Sequence, residues 1–202
     1  MEQRVQESGL VDLGFQQPKA AHAFVRDPNR SAPHNLYTST GALYRAGGTG
    51  GGLPAKVLSF SSKVPSTAAP ASRVNLDFSG SANVFWTYKK SKDLWVRSYD
   101  TGPATLEGGG SITARNVVVQ VVKLKKTGIV DAAGNPSPEV VATGRGACFV
   151  FRNGRVIRGT WTRPTSGDLT TYEDTSGNEI SLSPGTTWIE LLPTGITPSI
   201  TK

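Results

Sequence analysis

The pair Asn153-Gly154 constrains this chain more than any other feature of its sequence. Both residue types accept positive φ, which a two-residue type I′ hairpin demands, and that turn matches the natural twist of the strands it joins. The turn also fixes the register. Arg152 falls opposite Arg155, Phe151 opposite Val156, Val150 opposite Ile157, Phe149 opposite Arg158, Cys148 opposite Gly159 and Gly146 opposite Trp161. One face of the hairpin then carries Phe149, Phe151 and Val156, and the other carries Cys148, Val150, Ile157 and Trp161. An open sheet would alternate apolar with polar, so a hairpin apolar on both sides belongs inside a sandwich, a barrel or a covered sheet. Trp161 opposite Gly146 fits a ring lying over a position without a side chain.

The same pattern continues to either side. A second hairpin is expected from 169–173, through a turn at 174–177, to 179–182; Ser183-Pro184-Gly185 then leads into a last strand over 187–192. Upstream, period-two alternation marks strands at 73–78, 83–90 and 93–100, and Asn116 to Val122 is the most strand-like run, suited to a central position. A turn is expected at 131–136. About nine short strands in all, with 23 Gly and 13 Pro, predict a mainly β protein, α+β overall. The architecture expected is an antiparallel sandwich or a curled, barrel-like sheet with a short helical N-terminal part.

Four segments follow from the composition shifts. Residues 1–60 read as the end of a first domain, with a short helix followed by an extended piece possible in 1–17 and another helix capped by Thr38, Ser39 or Thr40 and running to Ala46 before the Gly-rich stretch 47–52. The Ser-, Ala- and Pro-rich stretch 61–71 reads as a linker, 72–193 as the β-rich second domain, and 194–202 as a flexible tail.

Charge and rare residues bound the chemistry. Charged residues make up only 18%, yet the net charge is +7, so anionic partners fit: cell-wall polymers, acidic headgroups or nucleic acid. One cysteine excludes an internal disulfide and a multi-thiolate zinc site, and two histidines exclude a His-rich metal site. No dinucleotide fingerprint, phosphate-gripping Gly-Lys-Ser/Thr loop or Gly-x-Ser-x-Gly elbow is present. No cofactor and no metal are expected.

Several strings taken together are those of a known family. Asn116-Val117-Val118-Val119-Gln120, Gly144-Arg145-Gly146, Phe151-Arg152-Asn153-Gly154, Gly159-Thr160-Trp161 and Pro184-Gly185-Thr186-Thr187-Trp188-Ile189-Glu190-Leu191 resemble the second domain of the YerB-like lipoproteins of Gram-positive bacteria. Arg30-Ser31-Ala32-Pro33-His34-Asn35-Leu36-Tyr37 resembles a motif near the end of that family's first domain. The resemblance implies an exported, membrane-anchored envelope protein with no established reaction. It also implies that these 202 residues hold the end of the first domain and the whole second domain, without the family's lipid-attachment cysteine and the long domain before the Pro-His-Asn-Leu-Tyr motif. By itself this stretch is expected to be soluble.

Three clusters are candidates for a site. In the first, Arg26, Asp27, Arg30, His34, Asn35 and Tyr37 lie close in sequence. His34 with Asp27 could act as a general base, and the Arg26 and Arg30 forks could clamp an anion. The competing reading is a turn closed by a local ion pair and backbone hydrogen bonds. In the second, the interval after Glu139 carries Arg145, Arg152, Arg155, Arg158 and Arg163 before the next acid, Asp168. Arg152 and Arg155 at the hairpin tip would bind a polyanion, or else would be solvated charges guarding an apolar hairpin. In the third, Trp86, Tyr88, Trp95 and Tyr99 with Lys89, Lys90 and Lys92 form a stacking platform or else core aromatics.

The expectation from all of this is a non-catalytic, extracytoplasmic envelope module that binds an envelope protein or an anionic cell-wall polymer, with no specific nucleic acid. The alternative is a cell-wall-acting enzyme with its site around His34, Arg30 and Arg26.

Overall fold

Two compact units divide the chain, residues 1–55 and 56–202, in a computed structural model that describes residues 11–48, 56–80, 82–131 and 134–202. Of the sequence expectations, the part of the short helix and extended piece of 1–17 that falls on 1–10, the glycines at 49–52 and the turn positions 132–133 lie outside the described residues. No helix among the described residues is long and apolar enough to cross a membrane.

In the first unit a 3-10 turn, Ala21–Ala23, leads into β1 (Phe24–Arg26). This strand pairs antiparallel with β2 (Leu36–Thr38), Val25 facing Tyr37. Helix α1 (Thr40–Gly47) follows, and of the three expected caps it is Ser39 whose Oγ accepts from the Ala42 N–H at 3.2 Å. Residues 11–17 form irregular chain and turn rather than the short helix and extended piece expected over 1–17.

The second unit is mostly β, built from two sheets. In the seven-stranded sheet β9 (Asn116–Lys125) lies between β11 (Gly144–Arg152) and β14 (Thr187–Pro193). β10 (Glu139–Val141) pairs with the far end of β9, and β12 (Arg155–Arg163) pairs with β11. The outer side of β12 is shared by β3 (Ala69–Pro70) and β13 (Thr171–Asp174). In the six-stranded sheet β15 (Ser199–Thr201), β4 (Arg73–Asp77), β5 (Asn83–Lys89) and β6 (Leu94–Tyr99) lie side by side. β7 (Gly102–Pro103) and β8 (Thr113–Ala114) divide the free edge of β6.

The register read from Asn153-Gly154 is the one found, from Arg152 opposite Arg155 to Gly144 opposite Arg163. Asn153 and Gly154 have φ of 51° and 66°. Both faces of the hairpin are covered, by different things. Phe151 and Val156 pack with Val117, Val119 and Leu192 against Val74, Leu76, Trp86 and Trp95 of the other sheet. Cys148, Val150, Ile157 and Trp161 pack with Val118 and Val122 beneath Ala68, Ile180 and Leu182, with Leu58 and Val64 at the margin. Irregular chain, not a third layer, covers this second face. At Gly146 a Cβ would stand 2.6 Å from Trp161 Nε1 and from the Val121 carbonyl that this N–H donates to, so the indole occupies the space a side chain would need.

Four expectations need correction. The Ser- and Pro-rich 61–71 is part of the second unit, because long-range bonds order it: Ser61 N–H donates to Leu182 O at 2.8 Å and Ala71 N–H to Gly154 O at 2.9 Å. Residues 194–202 end in β15, whose Ile200 faces Val74. The sheet is not wholly antiparallel, since β14 runs parallel to β9. After β13 the chain crosses the second face, burying Ile180 and Leu182 on the way, and reaches the far side of β9 already pointing in its direction. That crossing also leaves the return arm of the second hairpin as a single bridge, Glu173 with Glu179.

Candidate functional site at the hairpin tip

Arg152 is not a solvated guard. It is fully buried, because position 152 falls on the same face as Cys148 and Val150, the face covered by the stretches near 61 and 181. Its guanidinium donates to the carbonyls of Ser181 (2.5 Å), Ser61 (2.6 Å) and Lys63 (3.3 Å), and its Nε donates to Asn153 Oδ1 at 3.0 Å. Burial lowers its pKa. Arg155, on the exposed side of the tip, donates to Ala68 O at 3.1 Å.

The network runs on through Asn153. Its Oδ1 accepts Ser183 Oγ at 2.8 Å, and its Nδ2 donates to Asp93 at 3.3 Å. Asp93, at the end of the β5–β6 turn with φ of 49°, accepts from Tyr88 Oη at 2.6 Å and from Arg115 Nη1 at 2.5 Å. Asn116 closes the far side: its Oδ1 accepts the Ser183 N–H at 2.8 Å and its Nδ2 donates to Ser183 O at 2.8 Å. The Tyr88 hydroxyl is pushed up to about 12, chiefly by burial and then by its bond to the Asp93 carboxylate. Two glycines make room: a Cβ at Gly154 would stand 2.6 Å from the Tyr88 ring, and one at Gly185 2.5 Å from Arg115 Cγ.

What this rigid network displays is positive charge. The β5–β6 turn carries exposed Lys89, Lys90 and Lys92, and Asn153 and Gly154 seat that turn against the hairpin tip, next to exposed Arg155 and half-exposed Arg115. Asp93 is the one carboxylate in segments 88–93, 115–116, 152–155 and 183–187, and Tyr88, Arg115 and Asn153 occupy its oxygens. Lys89, Lys90, Lys92 and Arg155, from two segments, therefore stand around the Arg115–Asp93 pair as an excess of positive charge, an arrangement suited to a polyanion.

The other candidates are distributed differently. Of the aromatic platform, Trp86 and Trp95 are fully buried between the sheets and Tyr88 belongs to the tip network, so only Tyr99 stands exposed. The Arg strip is divided by strand alternation. Arg145 and Arg158 are exposed, while Arg163 donates to the carbonyls of Asp168 (2.8 Å) and Ser166 (2.6 Å). In the first unit the polar cluster forms the β1–β2 connection. Arg26 donates to Asn35 Oδ1 at 2.7 Å and lies over the Phe15 ring, Arg30 lies 3.6 Å from Asp27 and over the Tyr37 ring, and Tyr37 Oη donates to His34 O at 3.4 Å. The Asp27 N–H donates to Asn35 O at 2.8 Å, and the His34 side chain is exposed.

Sequence reasoning missed Asp93, Arg115, Asn116 and Ser183, whose meeting depends on long-range pairing. It also missed a buried pair between the sheets, Arg97 Nε to Glu190 Oε1 at 3.1 Å, with Trp86 Nε1 donating to the same oxygen at 2.9 Å. The signal was Glu190 in phase with Trp188 and Leu192 on one face of β14. Among the described residues no cluster of three or more His, Cys, Asp or Glu is placed to hold a metal ion.

A two-sheet β unit with a basic hairpin tip describes the class, and comparison with known proteins gives the family. Residues 74–189, more than half the chain, match the family described as Protein of unknown function (DUF3048), C-terminal domain, and the chain belongs to that family. The crystal structure of the YerB protein from Bacillus subtilis has the same fold, with a TM-score of 0.70 at 23% identity over all of this chain and 67% of that one. The YerB-like resemblance read from the motifs is thereby borne out. No curated protein matches the sequence.

Proposed function

We propose that this chain is a non-catalytic module of the Gram-positive cell envelope, extracytoplasmic and membrane-anchored as a lipoprotein in its full-length form, that binds an anionic cell-wall polymer through the hairpin-tip end. The observation that carries the reading is the meeting of Lys89, Lys90, Lys92, Arg115 and Arg155 around one fully engaged carboxylate. A basic surface on a rigid network loses little side-chain order on binding and attracts a polymer over several contacts at once.

The test is co-sedimentation of the chain with purified Gram-positive sacculi across a salt series, beside a Lys89→Glu/Lys90→Glu/Lys92→Glu variant and an Arg155→Glu variant. Retention should persist at physiological salt in the parent and fall in both variants; the lysine variant keeps the parental melting temperature because its side chains are exposed, and Arg155→Glu, which gives up the bond to Ala68 O, lowers it only slightly. Equal retention of parent and variants, or none at physiological salt, overturns the proposal.

A further inference from the structure

We propose that the free edge of β14, with the apolar cleft beside it, docks an extended segment of a protein partner that is apolar at alternate positions and acidic at its ends. This site runs along β14, shares only Arg115 with the hairpin tip and does not depend on the polymer reading.

The backbone specifies an extended partner. β14 pairs with β9 alone, and among the described residues the one other backbone hydrogen bond to it lies at its last residue, where the Ile196 N–H donates to Pro193 O at 3.3 Å, leaving 187–192 free on that side. In a parallel pair alternate residues turn their N–H and C=O away from the neighbour, so one side of β14 is a row of unsatisfied groups spaced for another strand. Natural edges are usually guarded by lysines, prolines or inward kinks. Here 187–192 contains no lysine, arginine or proline, its one charge, Glu190, points inward to Arg97, and Pro193 comes only at the end. Edges left open in this way are what strand-adding recognition uses.

Side chains set the pattern and charge sets the ends. Ile189 and Leu191 share the second face of the sheet and are 45% and 38% exposed, large values for such residues in a strand. They line a cleft of about 440 Å³ with Val57, Leu58, Leu169 and Tyr172. Its charged members are occupied, Arg163 by loop carbonyls and Asp168 by Thr165 at 2.7 Å. A strand laid along β14 would therefore place every second side chain on apolar surface. One end of β14 meets Arg115, whose N–H donates to Thr186 O at 2.9 Å. At the other end Pro193 faces Val122, the neighbour of exposed Lys123. Acidic ends complement both. A second copy of this chain is the poorer occupant, since its own β14 has no acidic ends and each copy carries +7.

The probe is a labelled synthetic peptide, Asp-Glu-Val-Thr-Val-Thr-Val-Glu-Asp, beside the same peptide methylated at the alternate backbone nitrogens that would face β14, which keeps every side chain and removes the donors that pairing needs. The full chain should bind the first, with amide shifts concentrated at 187–192, and bind the methylated peptide at least about tenfold more weakly. Leu191→Lys, an exposed change that leaves the melting temperature in place, should weaken binding by a similar factor. Equal binding of both peptides, no binding at millimolar peptide, or shifts elsewhere overturns the proposal. So does a protein that dimerises alone and becomes monomeric on Leu191→Lys, because the edge would then serve a second copy.

Discussion

Arg152→Met separates a structural arginine from a ligand-binding one. Methionine keeps much of the buried stem but removes the donors that hold Ser181 O at 2.5 Å and Ser61 O at 2.6 Å, with Lys63 O and Asn153 Oδ1 behind them. A hydrogen bond from a charged group contributes about 1.5–3 kcal/mol, and the two short ones alone sum to about 3–6 kcal/mol. Ser61 and Lys63 lie near the surface, so water can reach their carbonyls and the net loss settles at about 3–4 kcal/mol. A domain of ordinary stability, about 5–15 kcal/mol, would survive that loss with a clearly lowered urea midpoint. Arg152→Lys should recover little, because a single ammonium cannot span carbonyls on two segments. Loss of sacculus binding with a stability change under about 0.5 kcal/mol would refute the reasoning and return Arg152 to the ligand site.

The Arg97–Glu190 pair gives a second test by urea unfolding. Glu190→Ala should cost about 3–5 kcal/mol by stranding a buried guanidinium, whereas Arg97→Met/Glu190→Leu should cost less, about 1–3 kcal/mol for the orphaned Trp86 N–H. Gly159→Ala should destabilise by about 1–3 kcal/mol or more, since its Cβ would stand 2.0 Å from the Glu173 backbone carbonyl, which β13 pairing holds in place; a neutral result in a thermal melt would contradict the packing described. Burial pushes the Cys148 thiol up to about 12, so it should resist thiol reagents at pH 8 in the native state and react on unfolding. Burial likewise raises Tyr172 to about 12, as it does Tyr88. In all three the folded state holds its proton more tightly than the unfolded one, so their stabilisation is complete below pH about 9 and is lost as pH climbs towards 12. Chemical denaturation at pH 7, 9 and 11 should show stability falling only at the top of that range.

How far the sequence reached is clearest at the hairpin. Positive φ at Asn153 and Gly154 is a local demand, and it determined the register of nine residue pairs and the two apolar faces without help from the rest of the chain. The alternation at 73–78, 83–90 and 93–100 is local too, and strands form at each. The family strings of the second domain could be read for the same reason, since they fall on or beside β9, β11, β12 and β14, strands of one sheet. Their chemistry could not. Whether Arg152 is solvated or sealed depends on what covers it, and the cover comes from Ser61, Lys63 and Ser181, 91, 89 and 29 residues away. Soft composition misled at 61–71 and 194–202 because pairing to distant strands, not propensity, orders them. The direction of β14, its open edge and the gathering of three lysines with two arginines depend likewise on which strands become neighbours, which tertiary structure alone decides.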